Sequence, residues 1–273
     1  MTSANSILSG IYSIRKVVIN GMPDVTDMDY MFDDCEYLES IYISNLPNVE
    51  TMYETFEYCY ALKTVVIGDC PNLTDTSYTF YDCEALQTVQ FGATPALDYV
   101  YGMFEYCYSL LQGPELDMSN VTDAGEMFYE CYSLKTVPDY DTPLLQDVSY
   151  MFEYCYSLTE APNLNTSLVE GFYEMFYECL TMVKVPAYDF SSNTGSLNST
   201  FYYCTVLQLA PITGVSDDIY FANCLLGRAA IVEIFNGLAD AGATIDLTGN
   251  YGTNDLTPGD IAIAEDKGWT VTY

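Results

Sequence analysis

Val121-Thr122-Asp123-Ala124-Gly125-Glu126-Met127-Phe128-Tyr129-Glu130-Cys131-Tyr132-Ser133-Leu134 recurs, with drift, along most of this 273-residue chain. Its cysteine is the surest marker. Nine of the ten cysteines stand at 35, 59, 83, 107, 131, 155, 179, 204 and 224, with gaps of 24, 24, 24, 24, 24, 24, 25 and 20. A fixed period of this size marks stacked units that cannot bury an apolar face alone. Aligning on the cysteine brings other columns into register. Phe32, Phe56, Phe80, Phe104, Phe128, Phe152, Phe176, Phe201 and Phe221 stand three before it. Leucine stands three after it in most coils, from Leu38 to Leu207, and Met31, Met103, Met127, Met151 and Met175 stand four before. Offsets of −4, −3, 0 and +3 predict one side of a short helical turn.

The run after the leucine predicts a strand in the early coils. Ser40-Ile41-Tyr42-Ile43, Thr64-Val65-Val66-Ile67 and Thr88-Val89-Gln90-Phe91 alternate with period 2. Later coils carry Pro114, Pro138, Pro162, Pro186 and Pro211, each seven residues after its cysteine. A proline has no amide to donate to a ladder. The expectation is a regular parallel ladder near the N-terminus and an extended, polyproline-like edge from about residue 110. Asp27, Thr51, Asp75, Asp123 and Asp147 occupy one column eight before the cysteine, where a short acceptor can cap free amides. Thr51 with Glu54, and Asp123 with Glu126, fit a capping box.

The fold expected is an α/β repeat solenoid, a leucine-rich-repeat-like right-handed stack of ~24-residue coils with a C-terminal αβ cap. Residues 1–27 read as an N-terminal cap and degenerate first coil, because Leu8, Ile11 and Ile14 precede Phe32, Cys35 and Leu38 by 24. Residues 28–227 are the repeats. Residues 228–273 are a capping segment: a helix over 228–240, a strand over 243–248, a helix from Thr257-Pro258-Gly259-Asp260 and a closing strand at Trp269-Thr270-Val271. Unlike ends are needed because an open coil exposes core and strand edge.

Half the residues are hydrophobic, and no apolar run approaches the ~18 residues of a membrane span. No signal peptide is read in residues 1–20. A cysteine every 24 residues between apolar neighbours reads as a buried thiol rather than a disulfide ladder. Cys70, out of that rhythm, is expected to be the exposed one.

The charge is −32, from 39 acidic and 7 basic residues, with no histidine. Seven scattered cations cannot build a face for nucleic acid. Acidity of this kind serves solubility first; weak cation sites are the sharper alternative, with Asp139/Asp141 or Asp217/Asp218 as oxygen donors, though no twelve-residue calcium loop is present. No cofactor or built metal site is expected. With no histidine, no glycine-rich phosphate loop and no nucleophile beside a base, the chain does not read as an enzyme. A glycosidase-like carboxylate pair is the one catalytic device that acid content alone leaves open.

Acid and tyrosine alternate in the two positions before each cysteine: Glu57-Tyr58, Tyr81-Asp82, Glu105-Tyr106, Tyr129-Glu130, Glu153-Tyr154, Tyr177-Glu178. Carboxylates stacked about 5 Å apart would repel by ~1 kcal/mol in water and more at lower dielectric. Alternation should give each a ring for a neighbour. Tyr60, Tyr108, Tyr132 and Tyr156 form a third column after the cysteine. These rings read either as a ladder that stiffens the stack or as a broad face for a partner. Tyr106, Tyr108, Tyr132, Tyr154 and Tyr156, in three adjacent central coils, are the candidate binding residues.

The unit Val121-Thr122-Asp123 through Met127-Phe128, Cys131 and Leu134 resembles the BspA-type leucine-rich repeats, over residues 5–227. The family occurs in bacterial, mycoplasmal and protozoan surface proteins and in bacteriophage virion proteins. Residues 244–250 and 261–272 are similar to endings of phage tail and fibre-like proteins. The resemblance implies a non-enzymatic virion protein (tail fibre, tip or head decoration). Its partners would be other virion proteins, or a host surface protein or glycan, without nucleic acid binding or membrane insertion, and a homo-oligomer is left open. Such a protein would be made in the host cytoplasm without a signal peptide. The alternative is a cellular surface adhesin or scaffold, and a carbohydrate-active enzyme is a distant third.

Overall fold

The structure, a computed structural model, describes residues 2–273. The chain winds into a β-solenoid of about eleven turns with 24-residue spacing, of leucine-rich-repeat type. Strands β1 (Thr2–Ser3) and β2 (Lys16–Ile19) open it, and β1 pairs in parallel with β3 (Val25–Asp27). β2 leads a four-stranded parallel sheet, β2-β4-β5-β6, with β4 at Ser40–Ile43, β5 at Thr64–Ile67 and β6 at Thr88–Phe91. The register is one repeat per strand: Ser40 faces Thr64, which faces Thr88. Ile41, Ile43, Val65, Ile67 and Val89 point into the core, while Tyr42, Val66 and Gln90 face outward.

The sheet stops at β6. Thr88 N–H donates to Lys63 C=O and Gly92 N–H to Ile67 C=O, so in this ladder the residue seven after the cysteine donates backward. In the next coil that residue is Pro114, and the rung cannot form. From there to residue 213 the strand side holds only isolated bridges, such as Gln112 with Thr136 and Glu160 with Lys184. The second inward position also shifts by one, while the first stays with Val137, Ala161 and Val185. Leu116, Tyr140, Leu164 and Tyr188 take the inside, nine residues after their cysteines, where the early coils have Ser44, Gly68 and Gly92. Buried Tyr140 donates its hydroxyl to Pro114 C=O at 2.7 Å, and buried Tyr188 to Pro162 C=O at 2.6 Å. Side chains thus supplement the sparse backbone bonds that remain, such as Gly113 to Thr136 and Tyr140 to Asn163.

The turn side differs from the helical expectation. No α-helix forms there; each coil runs through consecutive i→i+3 turns, Met28–Met31, Tyr30–Asp33, Phe32–Cys35 and Cys35–Leu38. Amides in between leave the coil. Met28, Tyr30, Phe32 and Asp34 donate to Thr51, Tyr53, Thr55 and Glu57 of the next coil, and later coils repeat this. Aiming amides outward requires left-handed backbone at two columns, occupied by Tyr30 and Asp34 (φ +55° and +56°), Glu54 and Tyr58, Glu126 and Glu130. Left-handed residues with a side chain cost roughly 1–2 kcal/mol each, offset here by inter-coil hydrogen bonds. The acidic column eight before the cysteine caps the amide two residues on, as Asp123 does for Gly125 at 2.9 Å and Asp147 for Ser149 at 2.7 Å. The glutamate arm expected at Thr51/Glu54 and Asp123/Glu126 is not formed among the described residues, because Glu54 and Glu126 hold left-handed backbone rather than a helical third position.

The core is a stack of equivalent side chains. Phenylalanines lie face to face coil after coil, 5.3 Å between centroids for Phe56–Phe80 and 5.7 Å for Phe152–Phe176. All ten cysteines are free thiols and buried. The ladder thiols from Cys59 to Cys204 each donate to a phenylalanine carbonyl one coil back, for example Cys107 Sγ to Phe80 C=O at 3.2 Å. Cys70 corrects the expectation of exposure. It is out of phase only with the other cysteines, sits in the column of buried Leu46 and Met118, and has no exposed surface.

After β7 (Ile219–Tyr220) come α1 (Arg228–Gly237), β8 (Thr244–Asp246), a 3-10 turn at Tyr251–Asp255, α2 (Pro258–Glu265) and β9 (Thr270–Thr272). β7, β8 and β9 form a parallel sheet. Thr257 and Asp260 form a reciprocal capping box on α2, and Arg228 clasps Asp260 through two bonds of 2.9 and 3.0 Å. Lys267 Nζ binds the Phe235, Asn236 and Leu238 carbonyls at the end of α1. Buried Trp269 donates to Ala239 C=O.

Candidate functional site, a tyrosine and carboxyl face

The left-handed turns decide what this face looks like. With Phe and Cys pulled inward, the two residues between them and the residue after the cysteine form the turn face of every coil, where some are still covered by their neighbours. Their rings meet across coils. Tyr58, Tyr81, Tyr106, Tyr129, Tyr154 and Tyr177 form a zigzag in which successive rings sit edge to face, 5.3–6.0 Å apart. Tyr202 continues it, stacked on Tyr177 at 5.1 Å. A second line, Tyr108–Tyr132–Tyr156, is stacked nearly parallel at 4.7 and 4.9 Å. Tyr106–Tyr108 and Tyr154–Tyr156 join the two lines at 6.2 and 6.1 Å.

The five candidate residues, Tyr106, Tyr108, Tyr132, Tyr154 and Tyr156, therefore belong to one connected array, with Tyr129 bridging Tyr106 to Tyr154. All five are half-buried by their neighbours. Tyr129, Tyr81 and Tyr177 share the array equally. Their alternation with the acids was visible in sequence, but their contact along the diagonal was not. A further line, Tyr30–Tyr53–Tyr78–Tyr101, runs beside the early coils and touches the zigzag through Tyr78–Tyr81 at 5.8 Å.

The carboxyls are arranged differently from the expected ring-separated pattern. Alternation separates acids along one column, yet the left-handed column five before the cysteine brings a second acid to it, from the same coil at Glu54 and from the next coil at Glu126 and Glu174. Glu57 meets Glu54, Glu105 meets Glu126, and Glu153 meets Glu174. Each of Glu57, Glu105 and Glu153 is pushed up to about 8, first by burial and then by the neighbouring glutamate. Glu105 is 7% and Glu153 4% exposed, so neither carboxyl can be hydrated as a surface acid is. Glu153 Oε2 has no hydrogen-bond partner among the described residues. Burial and Glu105 likewise raise the Tyr106 hydroxyl to about 12. Tyr132 donates to Glu130 in a short hydrogen bond. A cleft of about 370 Å³ opens among Tyr53, Tyr58, Tyr78 and Tyr81 and the acids Glu54, Glu57, Glu105 and Glu126.

No lysine or arginine occurs in any of these turns. Arg15 pairs with Glu39, Lys184 with Glu160 and Arg228 with Asp260, all elsewhere. The face is aromatic and uniformly acidic. Asp139 and Asp218, weighed as cation ligands, serve as inter-coil acceptors: Asp139 takes two bonds from Asn163, and Asp218 takes the Thr244 amide. Hydrogen bonds from Asn163 hold the Asp139 carboxyl below its ordinary range. Among the described residues no group of three or more Cys, Asp or Glu side chains is placed to hold a metal ion, and no helix is long and apolar enough to cross a membrane.

Two family models match the chain, and they divide it where the strand ladder ends. Residues 3–87 match the BspA type leucine-rich repeat region, and residues 98–212 match a family described as a Mycoplasma protein of unknown function, DUF285. A solved leucine-rich repeat protein from Bacteroides ovatus aligns over 98% of this chain and 86% of its own, at 15% identity and a TM-score of 0.42. The comparison with curated proteins finds no match. The chain is thus a leucine-rich-repeat solenoid whose early coils are similar to BspA-type repeats.

Proposed function

We propose that this chain is a non-catalytic binding protein that engages a cationic partner surface through its tyrosine and carboxyl face. One observation carries the reading: an unbroken array of tyrosines spanning seven coils, interleaved with acids and lacking any compensating cation. Aromatic rings with polar tips give contact area at low entropic cost, and a single-sign field steers an oppositely charged partner and makes its binding salt-dependent. Repeats of this type generally serve protein–protein contact. We further propose that the setting is a bacteriophage particle surface, as a tail fibre, tip or head decoration meeting other virion proteins or the host. Ten free, buried thiols suit folding in a reducing compartment, and the chain's ending resembles those of fibre-like phage proteins. A cellular surface adhesin is the rival setting.

Mass spectrometry of purified phage particles tests the setting; a chain found instead on bacterial cell envelopes overturns it. The face is tested with Tyr132→Ala/Tyr156→Ala, measuring thermal unfolding beside binding to host cells or particles. Central aromatic contacts carry about 2 kcal/mol or more each, so binding should fall by a factor of roughly 30 or more for each ring lost. A lower melting temperature with unchanged binding would reduce the array to a stiffening ladder.

A further inference from the structure

The outer edge of β6 is a strand edge inside the solenoid that the next coil does not cover. The two coils are tied at both ends of this stretch: Leu111 N–H reaches Gln87 C=O at 3.4 Å, and Asp117 N–H reaches Thr94 Oγ1 at 3.5 Å. Between these ties the amides and carbonyls of Val89 and Phe91, which face the next coil, have no partner among the described residues. Across the gap the wall is poor in partners. Pro114 has no amide, and its carbonyl is taken by Tyr140.

The core columns are interrupted at the same place. Ile41, Val65 and Val89 stack one above another, and the next position is Gly113; Ile43, Ile67 and Phe91 stack likewise, and the next is Glu115. Phe91 is consequently only half-buried. A cleft of about 710 Å³ fills the gap, and a second of about 300 Å³ continues it toward Pro95, sharing Phe91 and Glu115. The larger lies within the 300–1,000 Å³ typical of ligand sites. Lys135 stands on its rim without a salt bridge.

We propose that this slot binds an extended peptide segment of a partner protein, which adds as a strand to the free edge of β6. Two needs coincide there, and an extended chain with apolar residues at alternate positions meets both. Its backbone presents an amide and a carbonyl every ~6.6 Å, matching Val89 and Phe91. Its alternate side chains continue the Val65–Val89 and Ile67–Phe91 columns, while those between face solvent beside Thr88 and Gln90. Strand addition of this kind draws affinity from main-chain bonds and specificity from alternate side chains. The site lies on the strand side, away from the tyrosine face, and stands independently of it.

The test is amide hydrogen exchange by NMR on the intact chain, titrated with the capped peptide acetyl-Thr-Val-Gln-Val-Thr-amide. Val89 and Phe91 amides should exchange fast in the free protein and slow by about tenfold or more on saturation. The double variant Pro114→Val/Glu115→Ile restores the donor and the apolar column, and should abolish this effect. If it fails to fold, Phe91→Ala should weaken peptide binding about tenfold or more while Tyr132→Ala/Tyr156→Ala leaves it unchanged. Slow exchange at Val89 and Phe91 without peptide, protection that depends on protein concentration alone, or protection by maltohexaose but not by the peptide would each overturn the proposal.

Discussion

Coils up to Phe91 and coils from Leu111 onward share one period and one phenylalanine spine, yet they close their strand side by different means. The early coils use backbone rungs in unbroken register, Ser40 to Thr64 to Thr88. The later coils carry proline at the donating position, keep only scattered backbone bonds and add side chains: Tyr140 and Tyr188 hydroxyls on proline carbonyls, Asn163 on Asp139, and Thr142 and Thr166 hydroxyls accepting the Asn165 and Asp189 amides. The turn side is identical in both regions. Inter-coil amide bonds there, such as Phe56 to Thr79 and Phe152 to Met175, do not depend on the strand sequence. What holds this solenoid together throughout is therefore the turn side, and the strand side is free to vary. The proposed peptide slot lies where one solution gives way to the other.

The comparison breaks if the two regions unfold separately. Phe56→Ala and Phe152→Ala remove equivalent fully buried rings from the continuous stack, and each should cost about 3–5 kcal/mol. Both should shift a single denaturation transition; two transitions would show that the spine does not couple the halves.

Moving proline between regions sharpens the contrast. Val66 holds in β5 the place that Pro138 holds later. Val66→Pro should remove a rung and cost about 1–3 kcal/mol or more through an unpaired acceptor. Pro138→Val should change stability little, since no ladder awaits its amide. Urea denaturation of both variants decides this, and equal costs would mean that proline position is unrelated to the ladder.

Tyr140→Phe isolates the side-chain solution. It leaves the Pro114 carbonyl without its buried donor and should cost about 1–3 kcal/mol. Tyr42→Phe, an outward ring in β4 that is 43% exposed, should cost almost nothing, and thermal unfolding of the two variants checks both.

The smallest effect is linked to pH and is common to both regions. Glu57, in the early coils, and Glu153, in the later ones, titrate near 8 when folded against 4.5 for the ordinary carboxyl. The folded state binds more protons between these values, so this contribution to stability is full below about 4.5 and declines as pH rises through about 8. Glu153→Gln removes the charge and should stabilise the protein at pH 9 by on the order of 1–2 kcal/mol, with little change at pH 5. A melting temperature that climbs from pH 5 to pH 9 in the natural protein would contradict the buried carboxyl pairs.

The sequence alone determined the period, the Phe, Cys and Leu columns, the extent of the strand ladder and the proline switch that ends it. Each depends on side-chain type at a fixed spacing, and spacing is all that stacking requires. It also showed the tyrosine and acid columns. Only the tertiary structure decided how the backbone runs between them. Offsets of −3, 0 and +3 suit a helical turn and a chain of i→i+3 turns equally, because side-chain periodicity does not record where an amide points. Here alternate amides point to the next coil, and Tyr30, Glu54 and Glu126 take up left-handed backbone that their residue types do not announce. Cys70 shows the same limit: its burial follows from a column shared with Leu46 and Met118, which differ from it in type. The Glu105–Glu126 and Glu153–Glu174 pairs and the slot beside β6 are contacts between positions in neighbouring coils. Their geometry is set by the diagonal offset and the splay of two coils, which no single repeat contains.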